Sequence, residues 1–169
     1  GTTERVRTGP AVVTAVRDLA RLETASYHME RVLETTQTQR RLLGHLEVED
    51  RVLLVAAADV TAGIDLGDLD ESDVVADPVA RSVRLRLPRP VVLSAALDNA
   101  HTRVANRSTD LLAKRDEALE GKARRDAEAT LRQAAIDAGI LDRARTGAER
   151  TLEALLRSLG YETVEFDWR

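Results

Sequence analysis

The densest group of residues that could do chemistry is an acidic segment in the first half of the chain. Five carboxylates fall within nine positions there: Asp65, Asp68, Asp70, Glu71 and Asp73. Oxygen ligands suit hard cations such as Ca2+, but the helix–loop–helix calcium loop needs alternate acids, a central glycine and a terminal glutamate, which this spacing lacks. Asp and Ser side chains in turns also accept hydrogen bonds from nearby backbone N–H groups. We therefore predict a solvated, locally capped turn and no metal site.

The histidines, serines and glycines form no catalytic motif. His28, His45 and His101 have no second His or carboxylate at a ligand spacing such as His-Glu-x-x-His, so we expect exposed or locally hydrogen-bonded side chains. No serine lies in a Gly-x-Ser-x-Gly elbow. Residues 63–67 lack the third glycine of a dinucleotide fingerprint and the lysine of a phosphate-binding loop. The sequence predicts no catalytic residue, no cofactor and no enzymatic activity; the binding residues stay unknown.

Two groups of arginines look basic in isolation. Arg124 and Arg125 lie in a ladder of alternating charges and are expected on a solvated helix face. The second group comprises Arg81, Arg84, Arg86 and Arg89. It could bind an anion or a lipid headgroup, but arginine stems that cover a sheet edge are the favoured interpretation.

Composition excludes several classes of function. Only 2% of residues are aromatic and the net charge is −4, so the chain lacks both the stacking platforms and the positive charge that nucleic-acid binding requires. Absence of cysteine excludes disulfides and Cys-ligated zinc or iron–sulfur clusters. The longest apolar run, residues 52–58, is far shorter than the ~20 residues of a membrane-spanning helix.

Hydrophobic periodicity places the elements in the first half of the chain. A helix is predicted over residues 10–22, because apolar residues recur there at helical spacing. Alternation from residue 24 predicts a strand whose polar extension runs to residue 41. The run over residues 51–66 predicts a central strand, in which Gly63 marks a bulge, a bend or a close approach. Residues 82–87 alternate at every position and predict another strand.

Helices dominate the predicted second half. Pro90 can open a helix with an apolar stripe from Leu93 to Val104, followed by a long helix over residues 110–138. Leucines at steps of three and four predict a core-facing helix over residues 140–159. Residues 161–168 alternate and can rejoin the sheet. We therefore predict an α+β fold with an antiparallel or mixed sheet of about four to five strands and helices mainly on one face.

The 110–138 helix carries a narrow stripe that contains Leu112 and is mostly alanine. Burying a methyl group returns much less than burying a leucine, so we expect this helix to be weakly docked and to offer its surface to a partner or a second copy. We expect a single domain over residues 1–169, with residues 1–9 as a cloning remnant and linker. An upstream signal or membrane anchor is expected to have preceded it.

Several phrases resemble a bacterial family catalogued as domain of unknown function 4230. They are Leu22-x-Thr24-x-x-Tyr27, then Ala58-Asp-Val-Thr-Ala-Gly-Ile-Asp-Leu66, Leu87-Pro-Arg-Pro-Val-Val-Leu93, Leu97-Asp98 and Leu159-Gly-Tyr161 with Val164 and Phe166. The similarity extends from Val12 to Trp168. It implies an N-terminal membrane-spanning segment ahead of this domain, and it carries no activity, cofactor or catalytic residue.

The function expected from these observations is a structural or protein-interaction domain of a bacterial membrane-anchored protein, with the side of the membrane undetermined. A protein partner or self-association is expected, and nucleic acid is not. One alternative is a lipid- or small-ligand-binding domain with an apolar pocket between sheet and helices. A hydrolytic enzyme is the less favoured alternative, because no acid–base or nucleophile pairing is visible.

Overall fold

The computed structural model describes residues 6–111 and 113–169, and it confirms the α+β class. Its elements in chain order are α1 (Gly9–Arg17), β1 (Arg21–Arg41), β2 (Leu46–Asp65), a short 3-10 turn (Glu71–Asp73), β3 (Val74–Asp77), β4 (Ser82–Leu87), β5 (Val91–Leu97), β6 (Arg103–Thr109), α2 (Leu119–Asp137), α3 (Ile140–Ser158) and β7 (Thr163–Trp168). No helix among these residues is long and apolar enough to cross a membrane.

The strands form two sheets rather than the single sheet that we expected. The first has the order β1-β2-β5, and β6 also pairs with β2, antiparallel, from Asp50 opposite Thr109 to Val55 opposite Arg103. The second has the order β3-β4-β7. In it β3 runs antiparallel and β7 parallel to β4. The terminal strand therefore completes a separate small sheet beside β4.

The chain divides into two compact units, each built from separate stretches of sequence. Unit 1 comprises the residues up to Ser26, Thr61–Leu93 and Gly139–Arg169, and unit 2 comprises Tyr27–Val60 and Ser94–Ala138. Strands β1, β2 and β5 each contribute residues to both units. The single domain stays a prediction. Of the predicted N-terminal remnant, residues 1–5 lie outside the described residues, whereas Gly9 begins α1.

Unit 1 has an apolar core with large side chains. Its fully buried residues come from α1, the end of β2, β4 and α3: Val12, Val16, Ile64, Leu66, Leu85, Leu87, Ala148, Leu152 and Leu156, with Tyr161 beside them. The predicted core-facing stripe of α3 is confirmed, because Ala144, Ala148 and Leu152 are buried one turn apart.

Two glycines of unit 1 mark close approaches of the backbone. A Cβ atom added at Gly63 would lie 1.8 Å from the carbonyl oxygen of Leu22, so the close approach predicted there is confirmed. Gly147 on α3 has the same role against β1, where an added Cβ would lie 2.7 Å from the Thr24 carbonyl oxygen. Thr24 Oγ1 also donates to the Ala144 carbonyl oxygen at 2.6 Å. Both positions require a residue without a side chain.

Unit 2 has a smaller, alanine-rich core under α2. The inward face of β2 supplies Val52, Leu54, Ala56 and Ala58, and α2 supplies Leu119, Ala123, Ala127 and Leu131. The expectation of a helix from residue 110 with an exposed alanine stripe is wrong: α2 begins at Leu119 and its stripe is buried on the sheet. Small side chains allow the helix to lie flat on the strands. Leu112 lies outside the described residues.

The predicted helix from Leu93 to Val104 is also wrong, because this stretch forms β5 and β6. A turn at Asp98 separates the two strands: the side chain of Asp98 accepts a hydrogen bond from the Ala100 N–H at 3.0 Å. The recurrence of Leu93, Leu97 and Val104 at helical spacing is coincidental, since pairing with β2 satisfies the backbone of this segment instead.

A buried ion pair links β2 and β6 in unit 2. Asp50 on β2 is 0% exposed and accepts from Arg107 Nη2 at 2.6 Å, from Thr109 Oγ1 at 2.9 Å and from the Asp116 N–H at 2.8 Å. Burial by itself would raise the pKa of Asp50, but these hydrogen bonds outweigh it and lower the pKa to about 2. The network ties the segment before α2 to the sheet.

Candidate functional site

The turn between β1 and β2 has an unusual backbone for its sequence. Leu42, Leu43 and Gly44 have φ values of 52°, 55° and 84°, and the His45 N–H closes the turn on the Leu42 carbonyl oxygen at 3.2 Å. Tight hairpin turns need positive φ and normally use Asn or Gly. Each leucine in the left-handed region costs roughly 1–2 kcal/mol. Leu42 and Leu43 therefore occupy two positions that Asn or Gly would fill without strain.

The same two leucines are exposed to solvent. Leu42 is 66% exposed and Leu43 is 99% exposed, so both present most of their apolar surface to solvent. Strained backbone positions cluster at functional sites, so a strained turn that exposes two apolar side chains is a candidate binding site. We refer to residues 40–45 as the leucine tip.

Two arginines form the first part of the leucine tip. Residues 35–46 contain no Asp or Glu, although the whole chain carries a net charge of −4. Arg40 and Arg41 precede the leucines directly, and Arg40 lies 3.8 Å from Glu47 across the hairpin, with both side chains largely exposed. The tip therefore combines an apolar pair with a local excess of positive charge.

A polar groove lies on one side of the hairpin, below the leucine tip. It has a volume of about 410 Å3 and is lined by Gln37, Gln39, Arg41 and residues 114–117. The Gln39 side chain holds this wall in place, because it accepts from the Lys114 N–H at 2.8 Å and donates to the Lys114 carbonyl oxygen at 2.6 Å. Arg41, Lys114 and Arg115 thus line one groove, together with two carboxylates.

The acidic segment forms the locally capped turn that the sequence predicts. Asp70 accepts from the Ser72 N–H at 2.8 Å and from the Ser72 hydroxyl, and these hydrogen bonds lower the pKa of Asp70. Asp73 Oδ2 accepts from the Asp70 N–H at 3.1 Å, while Asp65 caps the Gly67 N–H at 3.0 Å. Asp73 is buried and bonded to Arg169. Asp68 and Glu71 are exposed.

Three of the four arginines on and beside β4 pair with residues on and beside β7, whereas Arg86 is exposed. Arg84 Nη2 lies 2.7 Å from Glu165, and Arg81 lies 3.6 Å from Glu162. Arg89 donates to the Arg169 carbonyl oxygen at 2.7 Å. The sheet-edge interpretation is wrong, because β7 pairs with β4 and makes it the central strand. These three arginines have protein partners, which weakens the anion-binding alternative.

The histidines are locally hydrogen-bonded or exposed, as predicted. His28 lies between Asp59 and Glu30, which raise its pKa. His101 Nδ1 lies 2.6 Å from Asp98, and His45 is exposed within the leucine tip. The leucine tip was not predicted from the sequence, although Arg-Arg-Leu-Leu-Gly-His within a polar strand was a usable signal. The pairing of His28 with Asp59, which are 31 residues apart, was not predicted either.

A concave surface in unit 1 is open to solvent and mixed in polarity. It has a volume of about 550 Å3 and is lined by residues 23–26 of β1 with Gly147, Arg150 and Thr151 of α3. An enclosed apolar pocket of comparable size would have favoured the small-ligand alternative. This groove among the described residues of unit 1 is instead open to solvent, and its lining mixes polar and apolar side chains.

These features define an α+β domain with two small sheets and an exposed apolar hairpin tip. Residues 14–166 match the model of a family described as protein of unknown function (DUF4230), and the chain belongs to that family. A search of curated proteins and a search of solved structures each found no significant match.

Proposed function

We propose that the chain is a non-enzymatic interaction domain of a bacterial membrane-anchored protein and that it docks on an anionic bilayer surface through the leucine tip. The observation that carries the proposal is the exposure of Leu42 and Leu43 in a strained turn. The membrane anchor itself is implied by the family resemblance. The absence of nucleophile and acid–base motifs from the sequence supports a binding role rather than catalysis.

The energetics suit a reversible contact. Full burial of a leucine side chain contributes about 1.5–3 kcal/mol, so the pair contributes at most about 3–6 kcal/mol. Arg40 and Arg41 add about 1 kcal/mol each near anionic headgroups. One hydrophobic signal gives only marginal membrane binding, and stable attachment takes two. The leucine tip would therefore bind a bilayer weakly and reversibly by itself, measurably so at high lipid concentration, and would orient a domain that is already tethered.

Vesicle co-sedimentation of the whole chain tests the proposal. We expect binding to vesicles of phosphatidylcholine and phosphatidylglycerol at a 3:1 ratio and weaker binding to phosphatidylcholine alone. The double variant Leu42→Asn/Leu43→Asn should bind at least tenfold more weakly without loss of Tm, because Asn tolerates the left-handed region.

Val79→Asn is the matched control. Val79 lies in the turn between β3 and β4 and is 96% exposed. Its N–H donates to the side chain of Asp77, the last residue of β3, at 3.1 Å. It should bind vesicles like the unmodified chain. Equal binding of all three proteins, or no binding to anionic vesicles, would contradict a bilayer contact at the tip and would favour a protein partner.

A further inference from the structure

Three neighbouring strands of the first sheet bring one histidine and two aspartates together on an exposed face of unit 2. His28 lies on β1, Asp59 lies on β2, and Asp98 directly follows β5. One ligand atom from each of them lies within 4.8 Å of the others. We propose that these three side chains bind a divalent transition-metal ion of the zinc class. This site is independent of the bilayer contact proposed above.

His28 is oriented as metal-binding histidines usually are. Its Nε2 atom lies 3.2 Å from Glu30 Oε1, and its Nδ1 atom lies 2.8 Å from Asp59 Oδ1. Metal-ligating histidines typically donate their second N–H to a carboxylate, which fixes the tautomer and the ring plane. Glu30 is placed to accept that hydrogen bond. Nδ1 is then the ligand atom that faces Asp59.

Asp98 is held by a turn that is fastened to β2. The Asp98 N–H donates to the Ala57 carbonyl oxygen at 2.8 Å, and Thr102 Oγ1 bonds to the N–H and the carbonyl oxygen of Ala57 at 3.1 and 3.2 Å. Within the turn, the Ala100 N–H and His101 Nδ1 bond to the Asp98 carboxylate. Ligating carboxylates are commonly held by such outer contacts.

The distances and charges fit one ion. Ligands about 2.1 Å from a tetrahedral zinc ion lie about 3.4 Å apart. His28 Nδ1 and Asp59 Oδ1, which are 2.8 Å apart, therefore need to separate slightly, and ligand atoms as far as 4.8 Å apart need to approach by roughly 1 Å. The ion would take the place of the Nδ1 proton of His28, which is released to solvent. A neutral imidazole and two carboxylates then balance the 2+ charge. Side-chain exposures of 47% for His28 and 61% for Asp59 leave room for water ligands.

The donor set selects the metal class. Imidazole nitrogen suits zinc and its neighbours, whereas calcium takes six to eight oxygens and magnesium a water-rich octahedron. The acidic turn of unit 1 offers only oxygens, and its Asp65, Asp70 and Asp73 cap backbone N–H groups. The mixed cluster in unit 2 is therefore the zinc candidate, and the acidic turn is a suitable internal control.

The test is calorimetric titration of the chelator-treated whole chain with ZnCl2 at pH 7.5. We expect one equivalent to bind with a micromolar or lower Kd. A hundredfold excess over Kd should raise Tm by about 5 °C or more. His28→Gln and Asp59→Asn should each weaken binding at least tenfold, while Asp68→Asn in the acidic turn and His45→Gln in the leucine tip should leave it unchanged.

Three results would overturn the proposal. They are no zinc binding at 100-fold molar excess, zinc binding that survives both His28→Gln and Asp59→Asn, and equal affinity for calcium. The variants are isosteric or nearly so and change exposed side chains, so their Tm without metal should match that of the unmodified chain. If either variant has a lower Tm than the unmodified chain in the absence of metal, Asp98→Asn is used in its place. The same loss of zinc affinity is expected for that variant.

Discussion

The two units each pack one long helix, but they assemble different interiors. Unit 1 buries leucines from α3 and β4, and its ion pairs keep their arginines at the surface: Arg84 pairs with Glu165, and the half-exposed Arg169 pairs with the buried Asp73. Unit 2 buries alanines from α2 together with the charged pair Asp50–Arg107. Apolar area stabilises in proportion to its size, whereas a buried ion pair holds only while both partners remain. Unit 2 therefore combines a core of small apolar side chains with a buried polar network, whereas the core of unit 1 is built from larger apolar side chains.

The largest expected effect is loss of the buried arginine. Arg107→Met should destabilise the protein by about 3–5 kcal/mol, because Asp50 keeps its charge without its main partner. Arg84→Met removes an exposed pair with Glu165 in unit 1 and should cost less than about 1 kcal/mol. Urea unfolding of both variants measures the contrast. Similar losses for the two would show that the buried network is not what supports unit 2.

Gly63→Ala is expected to have the next largest effect, in unit 1. Because the added Cβ would lie 1.8 Å from a backbone oxygen, the strands must shift, at a cost of about 2–3 kcal/mol. Gly121→Ala in α2 is the opposite case, since its Cβ meets only the end of the Arg125 side chain at 3.5 Å. That change should stabilise by up to about 1 kcal/mol. An unchanged Tm for Gly63→Ala would refute the close approach.

Low pH should lower the free energy of unfolding mainly through Asp50 in unit 2. The pKa of Asp50 is lowered to about 2, so its contribution is complete above the unfolded value near 4 and is lost as pH falls towards 2. Between pH 5 and pH 2 the unmodified chain should lose about 2 kcal/mol more unfolding free energy than Asp50→Asn, which has no such group. Parallel pH profiles for the two proteins would exclude Asp50 as the source.

Hydrophobic periodicity correctly predicted β4 and α3, in which buried residues recur at one regular spacing. β4 alternates strictly, and its pattern of buried Val83, Leu85 and Leu87 is the one expected of a half-buried strand. α3 repeats its leucines at steps of three and four and is a core helix. β5 and β6 were predicted as a helix, because short apolar stretches fit both periods and pairing with β2 decided between them.

Long-range pairs lay outside what the sequence could show. Asp50 and Arg107 are 57 residues apart, and nothing in either segment identifies the partner. The His28–Asp59 pair follows from register only once the turn from Arg41 to Leu46 is known, because regular pairing then sets opposite each other residues whose numbers add to 87. The Arg40–Glu47 and His28–Asp59 contacts both follow that rule.

The most direct test of the bilayer contact is depth-dependent quenching at the leucine tip. Leu43→Trp and Val79→Trp each add one indole at an exposed position, and unmodified protein gives the background from Trp168. Vesicles of 3:1 phosphatidylcholine and phosphatidylglycerol with brominated acyl chains should quench the emission of Leu43→Trp and shift it to the blue. They should leave Val79→Trp at the background level. Equal emission of Leu43→Trp with and without vesicles would contradict a bilayer contact at the leucine tip.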